Sequence, residues 1–195
     1  SLDALEAAIE INGRRDSRHH LSHIEVWDPD DYDRMANVNA IANFQALWAT
    51  KGPMYDEITL PRMGEDREKY MYPIRSLHER GVTLAFGSDW YVTSANPLHA
   101  IEVAITRIDP DGLYSDPLVP EEAIDLATAI KAATLGSTYG NFLDHKTGSL
   151  EIGKLADVIV LDKNLFEIPA KEISETKVIL TMFGGEVVYG DLEKI

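Results

Sequence analysis

Apolar residues recur at helical spacing from the start of the chain. In LDALEAAIEIN, Leu2, Leu5 and Ile9 fall on one face, and Asn12-Gly13 supplies a stop. RHHLSHIEV, from Arg18, reads as a short mixed strand. DPDDYDRMA then starts a helix, with Asp28 as N-cap and Pro29 at the first helical position. NAIANFQ, residues 39–45, predicts a second strand. Between Ala46 and Tyr72 no period is sustained and Gly52-Pro53 and Pro61 interrupt the pattern, which predicts a long loop of the kind that is usually functional or disordered. Pro73 opens a helix that Gly81 stops, and VTLAFG is a third strand. Asn96-Pro97 caps an amphipathic helix through Arg107, and Pro120 opens a helical stretch reaching about Ala133.

The alternation of strand and helix predicts α/β architecture, with parallel strands joined by right-handed crossovers. After Gly148 the pattern changes. LADVIVLD, KVILTMF and EVVYG predict strands, the last two joined in a hairpin at Gly184-Gly185, where a tight turn needs positive φ. A boundary near residue 146 therefore separates residues 1–146 from a strand-rich tail, 147–195.

Composition narrows the function. The chain has 195 residues, 45% of them hydrophobic, enough for a sizeable core and consistent with a soluble globular protein. Its 33 acidic residues against 18 basic ones leave a formal charge of −15, which repels phosphate backbones and anionic lipid surfaces, so neither nucleic acid nor membrane is an expected partner. No apolar run approaches the ~20 residues of a membrane span. Without cysteine there is no disulfide and no thiolate metal site, so any metal must be held by His and carboxylate, and a reducing cytoplasm is the expected compartment.

One carboxylate ends the third strand. In VTLAFGSD, Thr83, Ala85 and Gly87 share the parity of Asp89, while Val82, Leu84 and Phe86 point to the opposite face. In a closed parallel barrel the small set would line the interior below Asp89, at the C-terminal rim where such barrels keep their chemistry. Alternatively, Asp89 simply caps a turn. His23 ends the first strand as Asp89 ends the third, which puts both on one rim if the sheet is parallel. An imidazole and a carboxylate suit a hard-to-borderline metal. His19 has the same parity but lies roughly 13 Å lower at ~3.3 Å per residue, and His20 points the other way. Both read as a polar strand entrance. His78 on a solvated helix face, His99 facing either the rim or merely a helix surface, and His145 in a polar loop are poor ligand candidates.

Several stretches together carry a family resemblance. RHHLSHIEV, YPIRSLHERGVTLAFGSDW, NPLHAIEVAITR, TGSLEIGKLADVIVLDKNLFEI and VILTMFGGEVVYG resemble, in order and spacing, the C-terminal part of metal-dependent amidohydrolases of the amidohydrolase family 3 branch, which includes N-substituted formamide deformylase. The resemblance implies a (β/α)8 barrel, of which these strands would be the sixth to eighth, and a small β-sandwich. His23 matches a metal ligand of the family, and Asp89 matches an aspartate that binds metal and shuttles a proton. Trp90, Asn96 and Arg107 match the region that walls the substrate pocket, although packing, helix capping and a salt bridge are competing roles for them. Ser22 stands where the branch usually has Glu, and Ile24 where it has a smaller residue.

The resemblance further implies one or two divalent ions, with Zn²⁺ the expected metal, and hydrolysis of an amide or related C–N bond in a small-molecule substrate. The family's His-x-His pair and further ligands have no counterpart here. The expectation is therefore a C-terminal fragment, inactive alone, that pairs with a missing N-terminal part or self-associates as a homo-oligomer. An α/β enzyme using Asp89 as a simple base, a binding module and a structural half-domain are the alternatives.

Overall fold

The structure, a computed structural model, describes residues 1–194. Helix α1 (Leu2–Asn12) buries Leu2 and half-buries Leu5 and Ile9, the face its spacing predicts. The Asp28 carboxylate accepts from the Asp30 N–H at 3.1 Å, and a tight 3-10 turn over Pro29–Asp31 leads into α2 (Tyr32–Asn37).

Strands β1 (His20–Ser22), β2 (Ile41–Phe44) and β3 (Leu84–Phe86) form one sheet in that order, both pairs parallel. The register sets Ser22, Asn43 and Ala85 side by side on one face and Leu21, Ala42 and Leu84 on the other. The apolar face is covered. Ile74 and Leu77 of α4 (Ile74–Glu79) and Leu98, Ile101 and Val103 of α5 (Pro97–Thr106) share one core with Ala42, Phe44, Leu84 and Phe86. Each such Leu or Phe contributes about 1.5–3 kcal/mol when fully buried. The other face carries small and polar residues, as the alternation in β3 predicts.

Two stretches fold differently from their sequence reading. Residues 46–72 are a string of short helical turns: 3-10 at Ala46–Trp48, π at Tyr55–Thr59, α3 (Leu60–Met63), then 3-10 at Glu65–Tyr70. Residues 53–63 run on as one helix, with Tyr55 buried and Leu60 and Met63 packed against the core. The π turn displaces these positions from regular ~3.6-residue spacing, so no sustained period shows in the sequence; Ala46 is buried as well. Nor is there a continuous helix from Pro120. A 3-10 turn at Pro120–Glu122 ends in extended backbone at Ala123, and the helix begins again at Asp125, whose carboxylate accepts from the Thr128 N–H at 2.9 Å and its hydroxyl at 2.8 Å. α6 (Leu126–Lys131), a π turn at Ala132–Gly136 and α7 (Ser137–Gly140) then follow without a break. Apolar Ile124 and Leu126 flank that cap and disguise it as helix interior.

The π turn lies directly on the sheet. A Cβ added to Gly136 would stand 2.0 Å from the Leu84 carbonyl oxygen. Gly136→Ala is therefore expected to destabilise the fold by about 1–3 kcal/mol, the usual range for overpacking, seen as a lower urea midpoint; an unchanged midpoint would show that this contact is not made.

After residue 146 a second sheet forms from β4 (Val158–Leu161), β5 (Val178–Phe183) and β6 (Glu186–Gly190), antiparallel and in that order. Gly184 and Gly185 turn the hairpin at φ 58° and 89°. The segment between β4 and β5 returns to the first sheet's core, where Leu165 and Ile173 are buried and the Ser174 N–H donates to the buried Glu102 carboxylate at 2.7 Å. Among the described residues no helix is long and apolar enough to cross a membrane.

Candidate active site

Parallel pairing brings the C-terminal ends of β1, β2 and β3 to one rim. The ladder runs slightly past the strands: the His23 N–H donates to Asn43 O at 3.0 Å and the Gly87 N–H to Phe44 O at 3.1 Å. His23 and Asp89 thus stand on the same rim, exposed, on strands two places apart, a span of roughly 10 Å at ~4.8 Å per strand. Both have left-handed backbone, φ 75° at His23 and 50° at Asp89, with Ile24 at 49°. Such conformations cost on the order of 1–3 kcal/mol and persist where the surroundings enforce them.

The turn after Asp89 is closed by its main-chain carbonyl, which accepts from the Val92 N–H at 2.8 Å. The Trp90 N–H is taken instead by the Ser88 hydroxyl at 3.2 Å. Among the described residues neither the Asp89 carboxylate nor a His23 ring nitrogen has a hydrogen-bond partner. Asp89 is therefore not a side-chain cap, and its carboxylate is open to chemistry.

Three further rim residues escaped the sequence reading. Gln45 follows β2 between the other two strand ends, is 4% exposed, and buries its side-chain oxygen without a partner. A Cβ at Gly87 would lie 3.3 Å from Gln45 Nε2 and 3.4 Å from Asn43 Oδ1, so the glycine leaves room for those two amides. Trp48 stacks on His23 with ring centroids 5.3 Å apart and planes 5° from parallel. Its indole N–H donates to Thr93 Oγ1 at 3.0 Å, and the Thr93 hydroxyl donates to Ser88 O at 2.9 Å. Gln45 had a faint signal, a polar residue closing an apolar strand; Trp48 and Thr93 had none. At Ser22, where the branch usually has Glu, the hydroxyl accepts from Asn43 Nδ2 at 3.3 Å.

A cavity of about 590 Å³ opens beside the rim, between the segments that follow the three strands; Trp48, Tyr55, Tyr72, Val92, Thr93 and Tyr114 are among its walls. Trp90, expected there, is 72% exposed and meets Tyr91 edge to face. The Asn96 side chain accepts from the Leu98 N–H at 3.1 Å, the capping role. Arg107 requires a correction, since it is neither a substrate-contacting residue nor a surface salt bridge. It is 0% exposed, and its guanidinium donates to the carbonyls of Leu118, Tyr72 and Met71 at 2.8, 3.3 and 3.2 Å. Each of its three nitrogens thus donates to a backbone carbonyl, two of them on the cavity-lining residues Met71 and Tyr72.

Of the remaining histidines, His19 and His20 are exposed at the opposite end of β1, His78 lies in the last turn of α4, the half-buried His99 in the first turn of α5, and His145 in a loop. Among the described residues no group of three or more His, Asp or Glu could hold a metal ion. His23 and Asp89 offer one imidazole and one carboxylate, donors that fit a divalent ion as part of a larger set.

A sequence profile described as the Amidohydrolase family matches residues 1–189. The chain is 33% identical over 191 residues to Protein LONG AFTER FAR-RED 3 of Arabidopsis thaliana, a match spanning 96% of this chain and 31% of that protein. It is 26% identical over 191 residues to N-substituted formamide deformylase of Arthrobacter pascens, covering 96% of this chain and 34% of the deformylase. The chain thus spans about one third of the length of these curated relatives. Among solved structures, an uncharacterised metal-dependent hydrolase from Pyrococcus horikoshii superposes with a TM-score of 0.69 at 24% identity, over 86% of this chain and 33% of that one. That likeness shows a shared fold.

Proposed function

The chain belongs to the Amidohydrolase family, matched over residues 1–189, and from that membership we infer that it forms the C-terminal part of a metal-dependent hydrolase acting on an amide or related C–N bond. On this reading β1 to β3 are the sixth to eighth strands of a (β/α)8 barrel, and the antiparallel sheet belongs to a small β-sandwich. Its chief support is the rim: His23 and Asp89 follow strands of one parallel sheet, and neither side chain has a hydrogen-bond partner among the described residues.

His23 and Asp89 would be this chain's ligands to the ion. When bound, a divalent metal acidifies a water and polarises the scissile carbonyl. Asp89 takes a proton from the attacking water on a carboxylate oxygen and delivers it to the leaving nitrogen as the C–N bond breaks, serving first as general base and then as general acid. The cavity, about 590 Å³, falls within the ~300–1,000 Å³ of small-molecule sites and suits an amide substrate with an apolar substituent. Its charged wall residues are Glu25, which accepts from the Thr59 hydroxyl at 3.0 Å, Asp109, which accepts from the Leu113 N–H at 3.1 Å, and Lys51.

Catalytic zinc normally has three protein ligands, and this chain offers two. Equilibrium dialysis against micromolar Zn²⁺ tests the assignment. Weak, substoichiometric retention by the 195-residue chain is expected, lost in both His23→Ala and Asp89→Ala. Tight stoichiometric binding, or retention indifferent to both substitutions, contradicts the proposed ligand set. A protein of the relatives' full length should retain zinc and hydrolyse simple amides.

A further inference from the structure

The imidazole of His23 is held by its face. Ligating histidines are commonly oriented by a hydrogen bond to the second ring nitrogen, yet here neither nitrogen has a partner among the described residues. The parallel indole of Trp48, 5.3 Å away centroid to centroid, restricts rotation of the ring while leaving both in-plane nitrogens open.

Trp48 is itself anchored at two points. Its backbone belongs to the 3-10 turn that directly follows β2, where its N–H donates to Gln45 O at 2.9 Å between the buried Ala46 and Ala49. Its indole N–H meets Thr93 Oγ1, and the Thr93 hydroxyl continues to the carbonyl of Ser88, the residue before Asp89. The threonine hydroxyl receives one hydrogen bond and donates the next, so a polar link joins the indole to the backbone that carries Asp89. Trp48 also lines the cavity.

We propose that Trp48 and Thr93 are positioning residues that set the plane of the His23 imidazole and tie it to the segment carrying Asp89. Neither takes part in proton transfer. They couple two strand ends that share no direct hydrogen bond, through the turn that follows the strand between them. The inference rests on the reading of His23 and Asp89 as site residues, but its test reads ring geometry rather than turnover.

The test is proton and nitrogen NMR of the chain, with the His23 ring protons assigned by their loss in His23→Gln. In the unaltered protein those protons should be shifted upfield by the indole, away from the positions of the exposed His19 and His20. Trp48→Phe should keep much of that shift and Trp48→Leu should abolish it. Thr93→Val, close in shape but without the hydroxyl, should reduce and broaden the shift and move the Ser88 and Asp89 amide signals while the core amides stay in place. Should Trp48→Leu fail to fold, Thr93→Val still decides. His23 protons at ordinary positions in the unaltered chain, or a His23 ring indifferent to Thr93→Val, would overturn the proposal. A full-length protein without amidase activity would count against the hydrolase reading while leaving the NMR outcome intact.

Discussion

Asp89→Asn is expected to lower amide hydrolysis by the full-length protein by about 10²- to 10⁴-fold, the usual cost of losing a general base, with the fold unchanged. Asparagine preserves the shape but removes the negative charge and the basic site. Little structural penalty is expected, because the turn is closed by the Asp89 main-chain carbonyl and the Trp90 N–H is held by Ser88. The backbone at φ 50° also suits Asn, which tolerates the left-handed region better than most residues. A carboxylate that capped the turn would be replaced by Asn almost without loss, since both side chains accept a hydrogen bond. Turnover, bound metal and melting temperature should be measured together. Near-normal turnover would remove Asp89 from the mechanism, and a collapse in melting temperature would show that its role is structural.

Arg107→Leu is expected to destabilise the chain by about 3–5 kcal/mol. Leucine fills part of the space but leaves the carbonyls of Leu118, Tyr72 and Met71 without their donors, and a buried group left unsatisfied costs about 1–3 kcal/mol. That is a large share of the ~5–15 kcal/mol that holds a typical domain together. Arg107→Lys should recover only part of the loss, because a compact ammonium cannot reproduce the planar fork that reaches all three oxygens. Chemical denaturation measures both variants, and a loss below about 1 kcal/mol would show the three bonds to be incidental.

Burial lowers the Arg107 pKa to about 10, a shift partly opposed by the negative charge of Glu122, so it remains charged at neutral pH. The unfolded chain holds that proton more tightly, and the linkage therefore raises stability as pH climbs from about 10 toward the ordinary arginine range. It contributes no slope near neutrality.

Much of this protein was legible because its signals are local. The helical spacing of Leu2, Leu5 and Ile9, the Asn96-Pro97 cap, the Gly184-Gly185 turn and the alternation around Leu84 and Phe86 each operate within a few residues, where backbone geometry and neighbouring side chains decide the outcome. The parallel order was inferable for the same reason, since each strand is followed by helical segments and a long connection before the next. His23 and Asp89 could be placed on one rim because a strand's end is known once its direction is known.

Residues 46–72 fold largely through 3-10 and π turns, which depart from ~3.6-residue spacing, so no sustained period survives in the sequence. Arg107 is an ordinary helix-end arginine in the sequence, and its burial follows from the Met71–Tyr72 segment and Leu118 converging on it from outside its helix. Trp48 and His23 lie on different loops, and a ring-on-ring contact between them leaves no mark on the spacing of either. The sequence by itself determined the three parallel strands and the antiparallel hairpin, the helices outside residues 46–72 and 120–140, and the strand ends that carry His23 and Asp89. Tertiary packing alone decided how the rim side chains are held, because those contacts join distant parts of the chain and depend on distances and angles that local periodicity does not encode.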